Sequence, residues 1–281
     1  MSQRFLLILM ALLFTSGPII SQASHHVDLS QEVSHHYAHN KDVKIHYVKA
    51  GSGPLVVMVH GFPDYWYSWR HQMNGLKKDF TVVAMDQRGY NRSDQPGGVE
   101  SYAMQNLVSD VIAVIRDTGA TQATVVGHDW GGAVAWQVAF NAPEVVQNLV
   151  ILNLPHPNGM ARELANNPEQ QRNSAYARRF IEGSAEDPDI MFGGPMNPQT
   201  LARWVQDPAA KVLYEAAFAR SSFNGMLNFY KANYPRAGQP SPVATSEPLP
   251  KLAMPVLIFH GLQDTALHSD GLNNTWDWVD N

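Results

Sequence analysis

Val125-Val126-Gly127-His128-Asp129-Trp130-Gly131-Gly132 joins an apolar strand-like run to a helix-forming stretch through a turn crowded with glycine. A reactive residue at the apex of such a turn is backbone-strained, and its neighbours must be small to clear both strand and helix. That is the setting of a nucleophile elbow, with Asp129 at the apex. An N-cap role for Asp129 is the plainer alternative, since Asp caps helices well. A cap alone leaves Gly127, Gly131 and Gly132 without a reason. An ionised carboxylate can attack an sp³ carbon in line, displacing halide or opening a strained ring, and so form an alkyl-enzyme ester. No GxSxG occurs in the chain, which disfavours esterase and peptidase chemistry.

Upstream, Val59-His60-Gly61-Phe62-Pro63 ends a second apolar run, Leu55 to Val59. A glycine turn there lets amides point inward, so the N–H groups of Phe62 and Trp130 are the expected oxyanion donors. Further apolar runs fall at Phe80–Met85, Ala123–Val126, Leu149–Leu152 and Val256–Phe259. Helical spacing fills Trp66–Leu76, Tyr102–Thr118 and Gly132–Phe140 between them. Alternating strands and helices imply a mostly parallel sheet covered on both faces. Ile45–Val48, with Gly51-Ser52-Gly53-Pro54 after it, reads as a hairpin into Leu55–Val59.

The rhythm breaks from Pro155 to Pro250, where no apolar β run occurs and helical patterns lie at Ala175–Ile181, Thr200–Val205 and Lys211–Lys231. This stretch reads as an inserted helical cap, residues 155–250, with Gly238–Pro250 as its exit linker. Residues 24–154 and 251–281 then form the two parts of the core. At the N-terminus, Arg4, the apolar run Phe5–Phe14 and the small-residue pattern Ser21-Gln22-Ala23 give residues 1–23 the three regions of a signal peptide, cut after Ala23. Ten apolar residues are too few for a stable membrane anchor, so export to the periplasm or medium is expected.

The 281 residues carry a formal net charge of −5, 16% charged and 44% apolar residues and no cysteine. Disulfides, zinc ribbons and a cysteine nucleophile are thereby excluded, and without a basic run nucleic acid is not an expected partner. No cofactor is expected. His25, His26, His35, His36 and His39 cluster early. No fixed ligand spacing accompanies them, so they read as an exposed leader rather than a metal site.

His60-Gly61-Phe62-Pro63-Asp64-Tyr65-Trp66-Tyr67-Ser68-Trp69-Arg70, Met85-Asp86-Gln87-Arg88-Gly89-Tyr90, the Gly127–Gly132 turn and Leu152-Asn153-Leu154-Pro155-His156-Pro157 together resemble the epoxide hydrolase branch of the α/β-hydrolase fold. The resemblance covers most of residues 43–265. It implies a small hydrophobic epoxide and water as reactants, Asp129 as nucleophile, and two cap tyrosines that protonate the epoxide oxygen. Tyr176 and Tyr230 stand at those positions. It also implies an acid that orients the catalytic base. Asp264, after Val256–Phe259, matches, and Asn153 at the other position used by relatives cannot be an anion.

The family's base is a His in a Gly-His pair beyond one further strand. His268 follows Asp264 by four residues and His260 precedes it, so neither matches, and the catalytic His is absent from this chain. The expected architecture therefore lacks the last strand and helix, which leaves Val256–Phe259 as an apolar edge. Such a chain is expected to open an epoxide but not to hydrolyse the resulting ester. Haloalkane and haloacetate dehalogenases share the Asp elbow. The former usually carry Asn where Phe62 stands, and the latter carry Arg where Trp130 and Ala133 stand. A non-catalytic ligand-binding member of the fold is the alternative of another class.

Overall fold

The computed structural model describes residues 29, 32–235 and 249–280. Residues 1–23, His25, His26, most of the exit linker and Asn281 lie outside the described residues. Among the described residues seven strands form one sheet: β1 (Ser34–Asn40), β2 (Val43–Ala50), β3 (Leu55–Val59), β4 (Thr81–Met85), β5 (Ala123–His128), β6 (Val146–Leu152) and β7 (Val256–Phe259). Their order is β1-β2-β4-β3-β5-β6-β7. The two strands at the β1 end are antiparallel, and every pairing from β4 to β7 is parallel. All five residues of β3 are buried, which is why its sequence lacks alternation.

Two sequence expectations change here. β2 does not make a hairpin with β3, because β4 lies between them. The loop glycines serve a close approach instead. Gly51 and Gly53 have φ of +74° and +128°, and a Cβ on them would lie 2.1 and 2.4 Å from the carbonyl oxygens of Lys77 and Asp79. The backbone before β4 thus passes directly beneath this loop. His35, His36 and His39 are not in a leader but in the edge strand β1, where only Ala38 is buried. The imidazoles pack on β2: His35 Nδ1 lies 2.8 Å from His46 Nε2, and His36 stacks on Tyr47.

The sheet is flanked by α1 (Arg70–Leu76), preceded by a 3₁₀ turn at Trp66–Trp69, and by α2 (Met104–Asp117) and α3 (Trp130–Asn141). α2 turns Leu107, Val111, Val114 and Ile115 into the core, as the spacing predicts. The buried Arg88–Asp110 pair, with Nε–Oδ2 at 2.6 Å and Nη2–Oδ1 at 2.7 Å, ties the loop after β4 to α2. Asn40 donates to the same carboxylate and brings in β1.

Between β6 and β7 the described residues form six helices: α4 (Pro157–Asn166), α5 (Pro168–Asn173), α6 (Ala175–Glu182), α7 (Pro198–Leu201), α8 (Pro208–Phe218) and α9 (Phe223–Asn233). The pattern at Thr200–Val205 corresponds to the single turn α7. The Lys211–Lys231 pattern is two helices, because Ser222 breaks it by accepting from the Gly225 amide as an N-cap.

Among the described residues α2 and α3 pack together against one face of the sheet. On the other face an open apolar groove runs from Trp69, Leu76 and Phe80 across Met58 and Val126 to Leu257 and Phe259. The last two side chains are 52% and 55% exposed on β7, which among the described residues has β6 as its one neighbour. Exposed apolar edges of this kind pair with other chains. Replacing Leu257 and Phe259 by Lys together is expected to lower light scattering of the concentrated protein while the far-UV spectrum is kept; unchanged scattering would show that this edge does not drive association.

Candidate active site

Asp129 ends β5 and opens α3 with φ 53° and ψ −122°. Its side chain makes no capping bond to the helix. Instead Oδ1 accepts from the Phe62 amide at 2.7 Å. The glycines around it are steric requirements. A Cβ at Gly61 would lie 2.4 Å from Asp129 Oδ1, one at Gly127 2.3 Å from the Gly131 carbonyl oxygen, and one at Gly131 2.1 Å from that of Val59. Strand, turn and helix meet here with no space for a side chain.

Burial pushes the Asp129 carboxyl above the usual carboxylate range. His128 and the amides of Phe62 and Trp130 pull it back, and Asp264 adds to the rise. The carboxyl opens into a cavity of about 130 Å³, room for a small organic molecule where each water takes about 30 Å³. Its walls come from α3 (Trp130, Ala133, Gln137), α4 (Met160, Ala161), α6 (Tyr176) and α9 (Tyr230, Asn233), with Tyr234, Met104, Leu154 and Leu267 completing them.

Tyr176 and Tyr230 meet over Asp129 with ring centroids 6.1 Å apart. Tyr230 stands edge-on to Trp130 at 5.0 Å, and Phe180 wedges beside both tyrosines. Burial raises both phenols well above their usual range, and the charge of Asp129 raises them further. They are therefore hydrogen-bond donors throughout the physiological range. The structure brings Asp129, Tyr176, Tyr230 and the Phe62 and Trp130 amides together.

Asp264 lies outside the cavity wall, although its charge is felt by Asp129 and Tyr176. Burial raises its pKa, but the Leu267 and Ala266 amides at 2.9 and 2.8 Å and the Asn153 amide at 2.5 Å outweigh that and hold it low. Asn153, at φ 48°, is thus the partner of the acid rather than its substitute.

No imidazole lines the cavity among the described residues. His60 is fully buried and locked, with Nδ1 on the Gly61 carbonyl and Nε2 accepting from the Gln87 amide; burial lowers its pKa to about 4. His260 Nε2 bonds the Leu267 carbonyl, and His268 lies between Glu169 and Asp270. His156 stacks on Trp278. Sequence reasoning missed Tyr234, which follows the last residue of α9, and Gln137 and Asn233. Helical spacing from Trp130 and Tyr230 was the signal available for each.

Family comparison agrees with this geometry. Residues 54–278 match the model of the alpha/beta hydrolase fold family, and the chain belongs to that family. It is 32% identical over 238 residues to "Epoxide hydrolase 1" of Caenorhabditis elegans, covering 79% of this chain and 57% of that one. Likeness to "Epoxide hydrolase 4" of Mus musculus is 41% over 133 residues, or 47% of this chain and 37% of that one. The chain thus spans less than two thirds of these curated relatives. A Bacillus megaterium epoxide hydrolase solved with an inhibitor superposes with a TM-score of 0.77 at 33% identity, over 87% of this chain and 88% of that one. These likenesses put the chain in the epoxide hydrolase branch of the fold.

Beside the site, Asp64 accepts from the Tyr214 hydroxyl of α8 and from the Tyr65 amide, both at 2.9 Å. Burial pushes its pKa up to about 7, against the opposing effects of the Tyr65 amide, Tyr214, Ser68 and Arg70. A carboxyl raised in the folded state favours folding below its unfolded pKa, near 3.8, and that contribution is lost as pH rises through 7. Between pH 5 and pH 8 the parent is expected to lose about 2–3 kcal/mol more stability than Asp64→Asn, from about 1.4 kcal/mol per pKa unit. Urea midpoints at the two pH values measure it, and parallel losses would show that Asp64 does not titrate in this window.

Proposed function

We propose that the chain opens epoxides through an ester on Asp129. A carboxylate oxygen of Asp129 attacks a ring carbon, and the C–O bond opposite breaks. Tyr176 and Tyr230 give a proton to the departing alkoxide, whose own pKa is high enough to take it from a phenol of raised pKa. The observation that carries this reading is one carboxylate oxygen pinned by the Phe62 amide at 2.7 Å, in a cavity whose facing wall holds two protonated tyrosines. In ester hydrolysis, water would add to the Asp129 carboxyl carbon, and the negative charge would develop on the oxygen that the Phe62 amide already holds, with the Trp130 amide as the second expected donor. That step needs a base, with Asp264 as its orienting acid. Among the described residues no imidazole lines the cavity, so these 281 residues are proposed to stall as the ester.

Two observations weigh against dehalogenation. A backbone amide at Phe62, rather than an Asn side chain, faces the carboxylate, and among the described residues no Arg lines the cavity for a haloacetate. Incubation with styrene oxide is expected to add one epoxide mass to the protein, on the peptide carrying Asp129. Asp129→Asn is expected to abolish the adduct, and Tyr230→Phe to slow it by about 10²-fold or more. Steady diol release without an adduct would overturn the stall, halide release from a haloalkane or fluoroacetate would favour dehalogenation, and ligand binding with no covalent product would favour a non-catalytic role.

The Arg4, Phe5–Phe14 and Ser21-Gln22-Ala23 pattern supports export with cleavage after Ala23. N-terminal sequencing of the mature protein expressed in a Gram-negative host should begin at Ser24, and a retained Met1 in the cytoplasm would overturn it.

A further inference from the structure

The cavity wall holds two buried amide side chains that neither the fold nor the proposed chemistry uses. Gln137, 6% exposed, lies on α3 in one stripe with Trp130 and Ala133, and all three line the cavity. Seven residues of helix place it about 10 Å along the axis from Trp130. Asn141 Nδ2 donates both to the Gln137 main-chain carbonyl at 2.7 Å and to Gln137 Oε1 at 3.2 Å. This fixes the orientation of the amide, since a flipped one would set two NH₂ groups against each other. Gln137 Nε2 is left with no hydrogen-bond partner among the described residues.

Asn233, 3% exposed, is on α9 one turn beyond Tyr230. Its Nδ2 donates to the carbonyls of Tyr102 at 2.8 Å and Phe229 at 3.0 Å, which uses both hydrogens. Its Oδ1 has no partner among the described residues. The cavity wall therefore offers one spare donor and one spare acceptor. Between them and Asp129 the lining is apolar, with Ala133, Leu154, Met160 and Leu267, and Asp129 is its one charged side chain.

Resting on the epoxide-opening reading above, we propose that this cavity selects epoxides with an apolar body and a neutral tail group, a hydroxyl or carboxamide, about 10 Å from the ring, held by Gln137, with the Asn233 acceptor elsewhere on the same wall. A plain alkyl tail would displace water from both amides and leave them unpaired. A charged tail would lose its hydration with no opposite charge to meet it. A hydroxyl both donates and accepts and suits either group. Gln137 and Asn233 thus set specificity by what an ill-matched tail leaves unsatisfied.

The test compares two probes on the full 281-residue chain: 1,2-epoxydecane and its analogue bearing a terminal hydroxyl on carbon 10. Competing equal concentrations, read by intact mass as the ratio of the two adducts, cancels any difference in active fraction. The parent is expected to favour the hydroxyl probe by roughly tenfold to a hundredfold. Gln137→Leu should bring the ratio toward one. Gln137→Glu keeps the acceptor for Asn141 but replaces the donor, and should shift the preference to a terminal ammonium. A ratio near one in the parent, or an undiminished ratio in both variants, overturns the inference while leaving epoxide opening intact. No adduct with these probes or with styrene oxide overturns epoxide opening itself, and the inference with it.

Discussion

The steric closure around Asp129 is the constraint on which the rest of the molecule depends. Its backbone sits at φ 53°, a region costly for a residue with a side chain, and it is kept there because β5, α3 and the turn after β3 approach within van der Waals contact. Each approach passes through a glycine: Gly61 toward the carboxylate, Gly127 toward the first turn of α3, Gly131 toward the end of β3. The same closeness delivers the Phe62 amide to Oδ1. Strand order matters for this reason, since only adjacent parallel strands β3 and β5 can present their two C-terminal turns to one another.

The insertion is then held over that turn by polar contacts at defined points. Tyr214 of α8 reaches Asp64, two residues past Phe62. Arg220 and Ser221, just after α8, bond to Asn91, whose amide also donates to Asp86 in the buried His46–Asp86 pair. Ser222 donates its amide to the Gly89 carbonyl and caps α9, the helix that carries Tyr230. Tyr230 is thus placed by a helix whose first turn is anchored to the loop after β4. Its neighbours Trp130, Phe62 and Phe180 fix the ring by edge-to-face packing.

The apolar runs of β3, β4 and β5 and the Asp129 turn were legible because each is dictated by local sequence: continuous burial, or a turn that tolerates no Cβ. β1 was not, because its inward side is built from Ala38 and imidazoles that pack on β2, so the usual alternation is absent. The placing of β4 between β2 and β3 is a long-range fact, visible only where Gly51 and Gly53 meet the carbonyls before β4. Within the site, Asp129, Tyr176 and Tyr230 carry distinctive motifs. Gln137, Asn233 and Tyr234 have only helical spacing from Trp130 and Tyr230 to mark them, since a polar residue on a helix becomes a cavity wall only when another element crosses it.

Burial acts on the two halves of the proposed chemistry in one direction and with two consequences. It raises the Asp129 carboxyl, against reaction, because the neutral acid is a poor nucleophile. It also raises both tyrosines, in favour of reaction, because the proton stays available for the alkoxide. His128 and the two amides offset the first effect without touching the second, since they act on the carboxylate and the tyrosines face it from the insertion. A buried, mostly apolar cavity can therefore keep a carboxylate and two neutral phenols side by side. Among the described residues no imidazole lines the cavity to activate a water, so the proposed ring opening and ester hydrolysis make separate demands on the chain.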